Sequence, residues 1–292
     1  MDNLRGSLWM ILAMAAFAVE DTFIKTAAIA LPVGEIIALF GLGGTAIFLG
    51  LTWARGERAL VPEAARPVML LRIGFEIGGR VFFTLSLAFT TLSATSAILQ
   101  AAPLVVTLGA ALVFGERVGW RRWSAIAIGF AGVLLILRPL PQSFDPASLL
   151  AVAALLGFAG RDLMTRAAPP ILSRMQLGVW GFAVLIPTGA AMVAVTGGAR
   201  LPQGSEALAL CGAIGFGVLA YYALTAAMRM GEVAVVTPFR YTRLLFALIL
   251  GAWLFGERPD LLTLAGAAVI VGSGLYTLLR QRRVPPPPAA AR

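Results

Sequence analysis

The sequence of 292 residues contains no histidine and a single cysteine, Cys211. Histidine is the side chain that most often carries protons near neutral pH, and it is the commonest metal ligand in proteins. A single cysteine excludes a disulfide bond within the chain. We therefore expect no metal site and no other cofactor.

Charge is also scarce, since 13% of the residues are charged whereas a soluble domain carries about 25%. Hydrophobic residues make up 59% of the chain, and the mean hydropathy is +0.89. This composition predicts an all-α integral membrane protein whose surroundings are the lipid bilayer. The net charge of +9 lies mainly at the ends of apolar segments, so no nucleic-acid partner is expected.

Apolar segments long enough to cross a bilayer recur along the chain. A helix of about 20 residues spans the ~30 Å hydrocarbon core. The sequence predicts ten transmembrane helices, at residues 7–29, 33–54, 67–90, 93–114, 120–138, 146–167, 175–197, 206–229, 232–255 and 259–280. A single chain with ten helices can enclose a path, so a monomer is sufficient for transport.

Arginines at the ends of these segments predict the orientation. Most of them, including Arg5, Arg55 and Arg280, lie on the side of the N-terminus, whereas the opposite loops hold Arg138 and Arg200 with few others. Cytoplasmic loops carry an excess of basic residues. Both termini are therefore expected in the cytoplasm.

The chain contains an internal repeat with a shift of 141 residues. The stretch SLWMILAMAAFAVEDTFIK at 7–25 aligns with SLLAVAALLGFAGRDLMTR at 148–166, and FGER occurs at 114–117 and at 255–258. Each half contains five spans, an odd number, so the second half enters the membrane inverted. Inverted repeats are typical of secondary transporters, whose substrate site lies between the repeats. We predict repeats at 1–141 and 142–283, followed by a disordered Pro/Ala tail at 284–292.

Charged residues inside the spans are the main candidates for function, because such charges are costly and usually face a bundle interior or a water-filled path. A rise of ~1.5 Å per residue places Asp21 and Arg80 in the outer half of the membrane, and Asp162 and Arg240 in the inner half. These depths predict one ion pair that closes the outside and another that closes the inside. The predicted gating and ion-pair residues are Asp21, Lys25, Arg80, Arg161, Asp162 and Arg240. The alternative is that the charges only hold helices together.

Depth also separates the other charged residues. Glu76 and Arg243 fall near the midplane, where they form a predicted middle pair. Arg72 lies near a membrane face, and its side chain is expected to reach the interface. Glu116 and Glu257 lie at span ends, where local hydrogen bonds within a turn are expected.

Prolines inside two spans predict helix kinks. Pro103 and Pro238 lie in spans four and nine, where a proline frees a backbone carbonyl and bends the helix. Such breaks often border the binding site of a transporter. Gln100, one turn before Pro103, is expected to face a cavity.

Aromatic side chains that share helices with these charges could stack on the ring of a substrate, while an arginine holds a carboxylate and an acid holds an ammonium group. The predicted substrate-binding residues are Trp9, Phe17, Glu76, Arg80, Phe83, Gln100, Phe158, Tyr221, Tyr222, Arg240, Tyr241 and Arg243.

Two five-helix halves, each with a Gly-Glu-Arg seam before a glycine-rich last helix, resemble the drug/metabolite transporter superfamily and its EamA-type ten-helix exporters. The residues that carry the likeness are 103–117 and 239–258, with the helices that contain Gly129 and Gly132 or Gly272 and Gly274. Within the superfamily the chain is similar to the bacterial aromatic amino acid exporters of the YddG kind. The resemblance implies a basket-like bundle in the bacterial inner membrane, in which helices 1–4 and 6–9 surround a central cavity.

The leading hypothesis is therefore an exporter of small amphipathic metabolites, above all aromatic or other large amino acids, which works by alternating access; coupling to protons and facilitated diffusion both stay open. A multidrug exporter or a nucleoside or sugar exporter of the same superfamily is the alternative, with proton coupling left open. A membrane enzyme is disfavoured, because the sequence offers no nucleophile–base set and no metal cluster. A receptor or structural protein would not need charges at matched depths in an inverted repeat.

Overall fold

The computed structural model describes residues 3–59, 61–115, 119–138, 145–169, 171–230 and 236–281. These residues form α-helices joined by turns and two short 3₁₀ helices, without a β-strand among them. The α-helices are α1 (Asn3–Ala27), α2 (Val33–Ala54), α3 (Pro67–Phe89), α4 (Leu92–Leu99), α5 (Ala102–Phe114), α6 (Trp120–Leu137), α7 (Ser148–Ala167), α8 (Arg174–Ala183), α9 (Leu185–Thr196), α10 (Ser205–Met230), α11 (Thr242–Phe255) and α12 (Leu261–Gln281). The all-helical prediction is confirmed for this part of the chain, and the tail at 284–292 lies outside it.

The helix bounds are consistent with the ten predicted spans, because α4 with α5 and α8 with α9 each make one interrupted span. Among the residues that the structure describes, six stretches are long and apolar enough to cross a membrane: Leu4–Ala27, Val33–Ala54, Leu92–Val113, Ser148–Thr165, Arg174–Thr196 and Ser205–Leu224. Helix α3 has 23 residues, a similar length, but it carries Arg72, Glu76 and Arg80. All three of these residues line the central cavity.

The fourth and ninth spans are both interrupted at the centre of the protein. Pro103 lies in the first turn of α5, just after the break at Gln100 and Ala101, and Pro238 lies in the 3₁₀ helix Thr237–Tyr241 that precedes α11. Proline is tolerated at the start of a helix because its missing N–H has no partner there. Gln100 and Tyr241 are 141 residues apart, and Gln100 Nε2 donates to the Tyr241 carbonyl oxygen at 3.2 Å. The two breaks therefore meet where the two halves meet.

Helix packing follows the internal repeat. Helix α1 packs on α10, and its counterpart α7 packs on α3, while α6 packs on α12 and α2 packs on α8 and α9. Each helix of one half thus has its main partner in the other half. The hydrophobic core lies along these contacts and contains the buried side chains of Phe40, Phe48 and Phe83.

Glycines allow the closest of these contacts. A Cβ atom on Gly157 of α7 would lie 2.4 Å from the backbone nitrogen of Gly79 on α3. A Cβ on Gly266 of α12 would lie 2.6 Å from the carbonyl oxygen of Gly132 on α6. Small residues at such contacts are the usual basis of helix association in membranes, where dispersion contacts replace the hydrophobic effect.

The change Gly157→Ala should therefore separate α3 from α7 and lower the stability of the folded protein by about 1–3 kcal/mol, the usual cost of overpacking. Thermal unfolding of the purified protein in detergent measures this loss. The matched control is Gly215→Ala on α10, where a Cβ atom would meet nothing within 4 Å. Equal unfolding temperatures of the two variants would contradict the assignment of this contact.

Candidate functional site

A cavity of about 470 Å³ lies between the two halves of the bundle. Its walls come from α1, α3, α7, α8 and α10, and the 3₁₀ helix before α11 adds Arg240. A narrower chamber of about 100 Å³ shares Phe17, Glu20, Arg80 and Arg161 with it, and reaches Gln100 and the other residues at the two helix breaks. Cavities of this size and mixed lining are typical of small-molecule sites.

Two buried ion pairs lie on the side of the narrower chamber. Arg243 donates to both carboxylate oxygens of Asp21 at 2.7 and 2.8 Å, and Arg80 Nη1 lies 2.9 Å from Glu20 Oε1. The predicted pair of Asp21 with Arg80 is therefore wrong, because Arg80 binds the neighbouring carboxylate. Asp21 and Glu20 are 0% and 1% exposed, so each needs its cationic partner.

A second cluster of charged residues lines the wide chamber. Arg161 Nη1 lies 3.3 Å from Glu76 Oε1, and Arg161 Nη2 donates to Asp162 Oδ1 at 2.8 Å. Asp162 Oδ2 is 3.9 Å from Arg240 Nη2, which places the two members of the predicted inner pair next to each other. The predicted middle pair is different, since Glu76 contacts Arg161 and not Arg243.

Arg72 lies inside the bundle and not at a membrane face, contrary to the sequence-based expectation. Its side chain is 3% exposed, its Nε donates to Thr165 Oγ1 at 2.9 Å, and its Nη2 lies 3.6 Å from Glu76 Oε2. The cause is the packing of α7 and α8 against α3, which leaves no path from this position to the interface. Arg72 therefore becomes a cavity residue.

Aromatic rings line both chambers and support the arginines. The guanidinium carbon of Arg161 lies 4.9 Å from the ring centre of Phe158, and that of Arg243 lies 4.9 Å from the ring centre of Phe17. Phe83 packs edge-on against Phe158 with ring centres 5.6 Å apart. Such contacts hold cations in place and leave ring faces and edges for a substrate.

The other predicted binding residues divide into two groups. Tyr221 lines the wide chamber, while Gln100, Tyr241 and Pro103 line the narrow one. Trp9 and Tyr222 line neither chamber: they pack edge to face against each other, and Tyr222 is 38% exposed. Their assignment to the cavity is therefore wrong.

Several lining residues were absent from the predicted set of binding residues: Glu20, Arg72, Arg174, Gly178, Gly181, Phe182 and Leu224. Charge inside a span is a signal that pointed to Glu20 and Arg72. Nothing in the sequence alone marks the glycines or Phe182 as part of the wall.

At one end of the bundle, a network of hydrogen bonds and an ion contact joins four helices. Lys25 Nζ, at the end of α1, donates to the Thr90 carbonyl oxygen at 2.5 Å and lies 3.8 Å from Glu257 Oε1. Glu257 accepts hydrogen bonds from the backbone nitrogens of Leu92 and Ser93 at 2.7 and 2.9 Å, at the start of α4. A carboxylate at a helix N-terminus is stabilised by the free N–H groups there.

The role of Glu257 differs from the predicted local turn contact, because its partners lie in the other half of the chain, about 165 residues away. Glu116, for which the same local contact was predicted, lies outside the described residues. At the opposite end of the bundle the wide chamber extends to Ala168, Pro169 and Arg174, around the turn between α7 and α8. The cavity therefore extends toward the end of the bundle that lies opposite the network around Glu257.

The two-repeat architecture agrees with comparisons to known proteins. The EamA-like transporter family matches the chain twice, over residues 4–138 and 145–279. The chain belongs to this family. The two matches coincide with the two halves that pack on each other, which confirms the two-repeat architecture and the membership of the drug/metabolite transporter superfamily.

Curated relatives in this family carry small molecules. The chain is 28% identical over 285 residues to a riboflavin transporter of Rhizobium johnstonii, covering 95% of this chain and 92% of the relative. It is 23% identical over 282 residues to an S-adenosylmethionine uptake transporter of Rickettsia felis, covering 96% and 94%. A crystal structure that is 21% identical superposes with a TM-score of 0.65 and covers 95% of this chain and 98% of its own, which shows the same fold.

The change Arg243→Gln should leave the buried carboxylate of Asp21 without its cation and destabilise the protein by about 3–5 kcal/mol. The double variant Arg243→Gln with Asp21→Asn removes both charges and should be more stable than the single variant. Thermal unfolding of the three proteins measures the coupling of the pair.

The control is a more exposed pair at the surface, Arg138 with Asp260. The hydrogen bond from Arg138 lowers the pKa of Asp260 to about 2, so this carboxyl is ionised at neutral pH. Asp260→Asn should nevertheless cost under about 1 kcal/mol, because exposed pairs are screened by water. A larger loss for Asp260→Asn than for Arg243→Gln would contradict this order.

Proposed function

We propose that this protein transports small amphipathic metabolites with an aromatic ring across the bacterial plasma membrane by alternating access. The observation that carries the proposal is the central cavity, which combines arginines, carboxylates and aromatic rings and extends to one end of the bundle. Such a cavity between inverted repeats fits a carrier that exposes one site to each side in turn.

Aromatic and other large amino acids are the first candidate substrates. Glu76 and Asp162 lie in the wide chamber and can hold an ammonium group, while the arginines can hold a carboxylate. Phe17 and Tyr221, in the same wall, can contact the side-chain ring. All three parts of such a substrate thus have complementary groups within one cavity.

Riboflavin is the second candidate. The riboflavin transporter of Rhizobium johnstonii aligns with nearly the whole chain. The flavin ring system is planar and rich in carbonyl acceptors, which suits arginine donors and aromatic walls. A lipophilic cation is disfavoured as a substrate, because five arginines and three carboxylates line the wide chamber.

Transport without a coupling ion fits the charge pairs. Glu20, Asp21, Glu76 and Asp162 each contact an arginine in this structure. The arginines neutralise these carboxylates, so no proton is needed for that purpose. The direction of net flux would then follow the substrate gradient, and a substrate made in the cytoplasm would be exported.

Proteoliposomes that contain the purified protein should show saturable flux of labelled tryptophan, phenylalanine or riboflavin that an imposed pH gradient leaves unchanged. Arg161→Gln should reduce this flux at least about tenfold, because Arg161 joins Glu76 and Asp162 in the cavity wall. Asp145→Asn, an exposed carboxylate in the turn before α7, is the control and should retain full flux. Flux of a quaternary ammonium dye without flux of the three metabolites would refute the proposal.

Labelling of a cysteine in the cavity tests the orientation. In a Cys211→Ser background, Ala168→Cys places a thiol in the wall at the wide end of the cavity. A membrane-impermeant thiol reagent should label it from the cytoplasmic side, which the distribution of arginines predicts for this end, and saturating substrate should slow the reaction. Labelling from the opposite side alone would reverse the proposed orientation, and the Cys211→Ser parent gives the background.

A further inference from the structure

One buried arginine in the wide chamber has far fewer hydrogen bonds than it can make. A guanidinium group carries five N–H donors in a planar fork. Arg72 makes one hydrogen bond, from Nε to Thr165 Oγ1, while Nη1 is buried and has no hydrogen-bond partner among the described residues. Nη2 lies 3.6 Å from Glu76 Oε2, which is an ion contact without hydrogen-bond distance. A buried donor that lacks a partner destabilises the protein, so an acceptor beside Arg72 Nη1 would be stabilising.

The space in front of this guanidinium is open because the facing residue is a glycine. Gly181 on α8 lines the cavity beside Arg72, and a Cβ atom on Gly181 would lie 3.8 Å from both Nη1 and Nη2 of Arg72. The same atom would lie 3.4 Å from Glu76 Oε2. These are ordinary contact distances, so the gap has room for a methyl group or an oxygen atom. An acceptor in this gap can reach the Nη side of the fork.

The balance of charges in the second cluster, in the wide chamber, indicates which kind of acceptor is missing. Arg72, Arg161 and Arg240 share two carboxylates there, because Glu76 contacts the first two and Asp162 contacts the last two. Glu20 is already bound to Arg80 in the other cluster. Three cations against two anions leave this cluster one negative charge short of balance. Glu76 also has to divide its carboxylate between two arginines, at 3.6 and 3.3 Å.

We propose that Arg72 binds the anionic group of the transported substrate, a carboxylate or a phosphate monoester, in the gap in front of Gly181. The ring of the substrate then lies toward Tyr221 and Phe17 in the same chamber. The preferred substrates are therefore ring-containing organic anions or zwitterions. This inference rests on the proposed transport function and specifies its substrate class.

The physical basis is the strength of a charge-assisted hydrogen bond between the Arg72 guanidinium and an anion in a site that is partly shielded from water. An anion in the gap would supply the acceptor that Nη1 lacks and the third negative charge of the cluster. Its own repulsion from Glu76 is offset because Glu76 can then pair fully with Arg161. Charged hydrogen bonds of this kind are about twice as strong as neutral ones.

Binding measurements on the purified full-length protein in nanodiscs test the proposal, with ligand pairs that differ in the anionic group. One pair is indole-3-acetate with indole-3-ethanol, and the other is flavin mononucleotide with riboflavin. In at least one pair the anionic member should bind the wild type at least about tenfold more tightly than the neutral member. A carboxylate is favoured over a phosphate if only the indole pair shows the preference, and the reverse holds for the flavin pair.

Two variants assign the preference to Arg72. Arg72→Gln should abolish the preference for the anion, so that the two members of a pair bind this variant with affinities within about twofold of each other. Gly181→Ala fills the gap without removing a charge and should weaken the anion about tenfold, so it keeps the test valid if Arg72→Gln does not fold. Gly215→Ala, on the open face of α10, is the control for the same change in another helix and should leave both affinities unchanged.

The outcomes separate the inference from the proposed function. Equal binding of the two members of both pairs, or a preference that persists in Arg72→Gln and in Gly181→Ala, overturns the role of Arg72 and shows that water satisfies its donors. In that case, saturable flux of the neutral ligands would still support the transport function. If none of the four ligands binds and none of the proposed metabolites is transported, both the inference and the proposed function fail.

Discussion

A charged side chain inside the membrane must find a partner of opposite charge, and in this protein the decisive partners come from the other repeat. Asp21 of the first half binds Arg243 of the second, and Glu76 of the first half contacts Arg161 of the second. In both pairs the carboxylate belongs to the first half of the chain and the arginine to the second. The interface that joins the repeats is therefore the same surface that forms the polar cavity, and the fold and the proposed substrate site depend on one set of charges.

Close backbone contacts make these pairs possible. The glycines that face each other on α3 and α7, Gly79 and Gly157, bring the helices near enough for Glu76 to reach Arg161. The hydrogen bond from Gln100 to the backbone of Tyr241 joins the two helix breaks at positions that are equivalent in the repeat. Irregular backbone inside a membrane is tolerated where it is buried in protein or lines a cavity, and both conditions hold here.

The sequence predicted the spans, the repeat and the identity of most cavity charges, because apolar length and charge scarcity are one-dimensional properties. The partners depend on how each helix is rotated, which the sequence does not give. Glu20 and Asp21 are neighbours in the chain, but they point about 100° apart on α1, so one meets Arg80 of α3 and the other meets Arg243 of α11. Trp9 lies on nearly the same face of α1 as Glu20, but it is eleven residues away, about 16 Å along the helix, and so it lies outside both chambers.

The geometry of the pairs separates those that hold the fold from those that can exchange. Arg243 donates hydrogen bonds from Nε and Nη2 to the carboxylate of Asp21, away from the wide chamber. Separating such a buried pair costs a large free energy. Glu76 and Asp162 instead each divide a carboxylate between two arginines, with contacts as long as 3.6 and 3.9 Å. Exchange of partners within this second set replaces one long contact by another, so its cost is small. The proposed substrate site is thus built from the contacts that the protein can most readily rearrange, while the tight pair beside it keeps the two halves together.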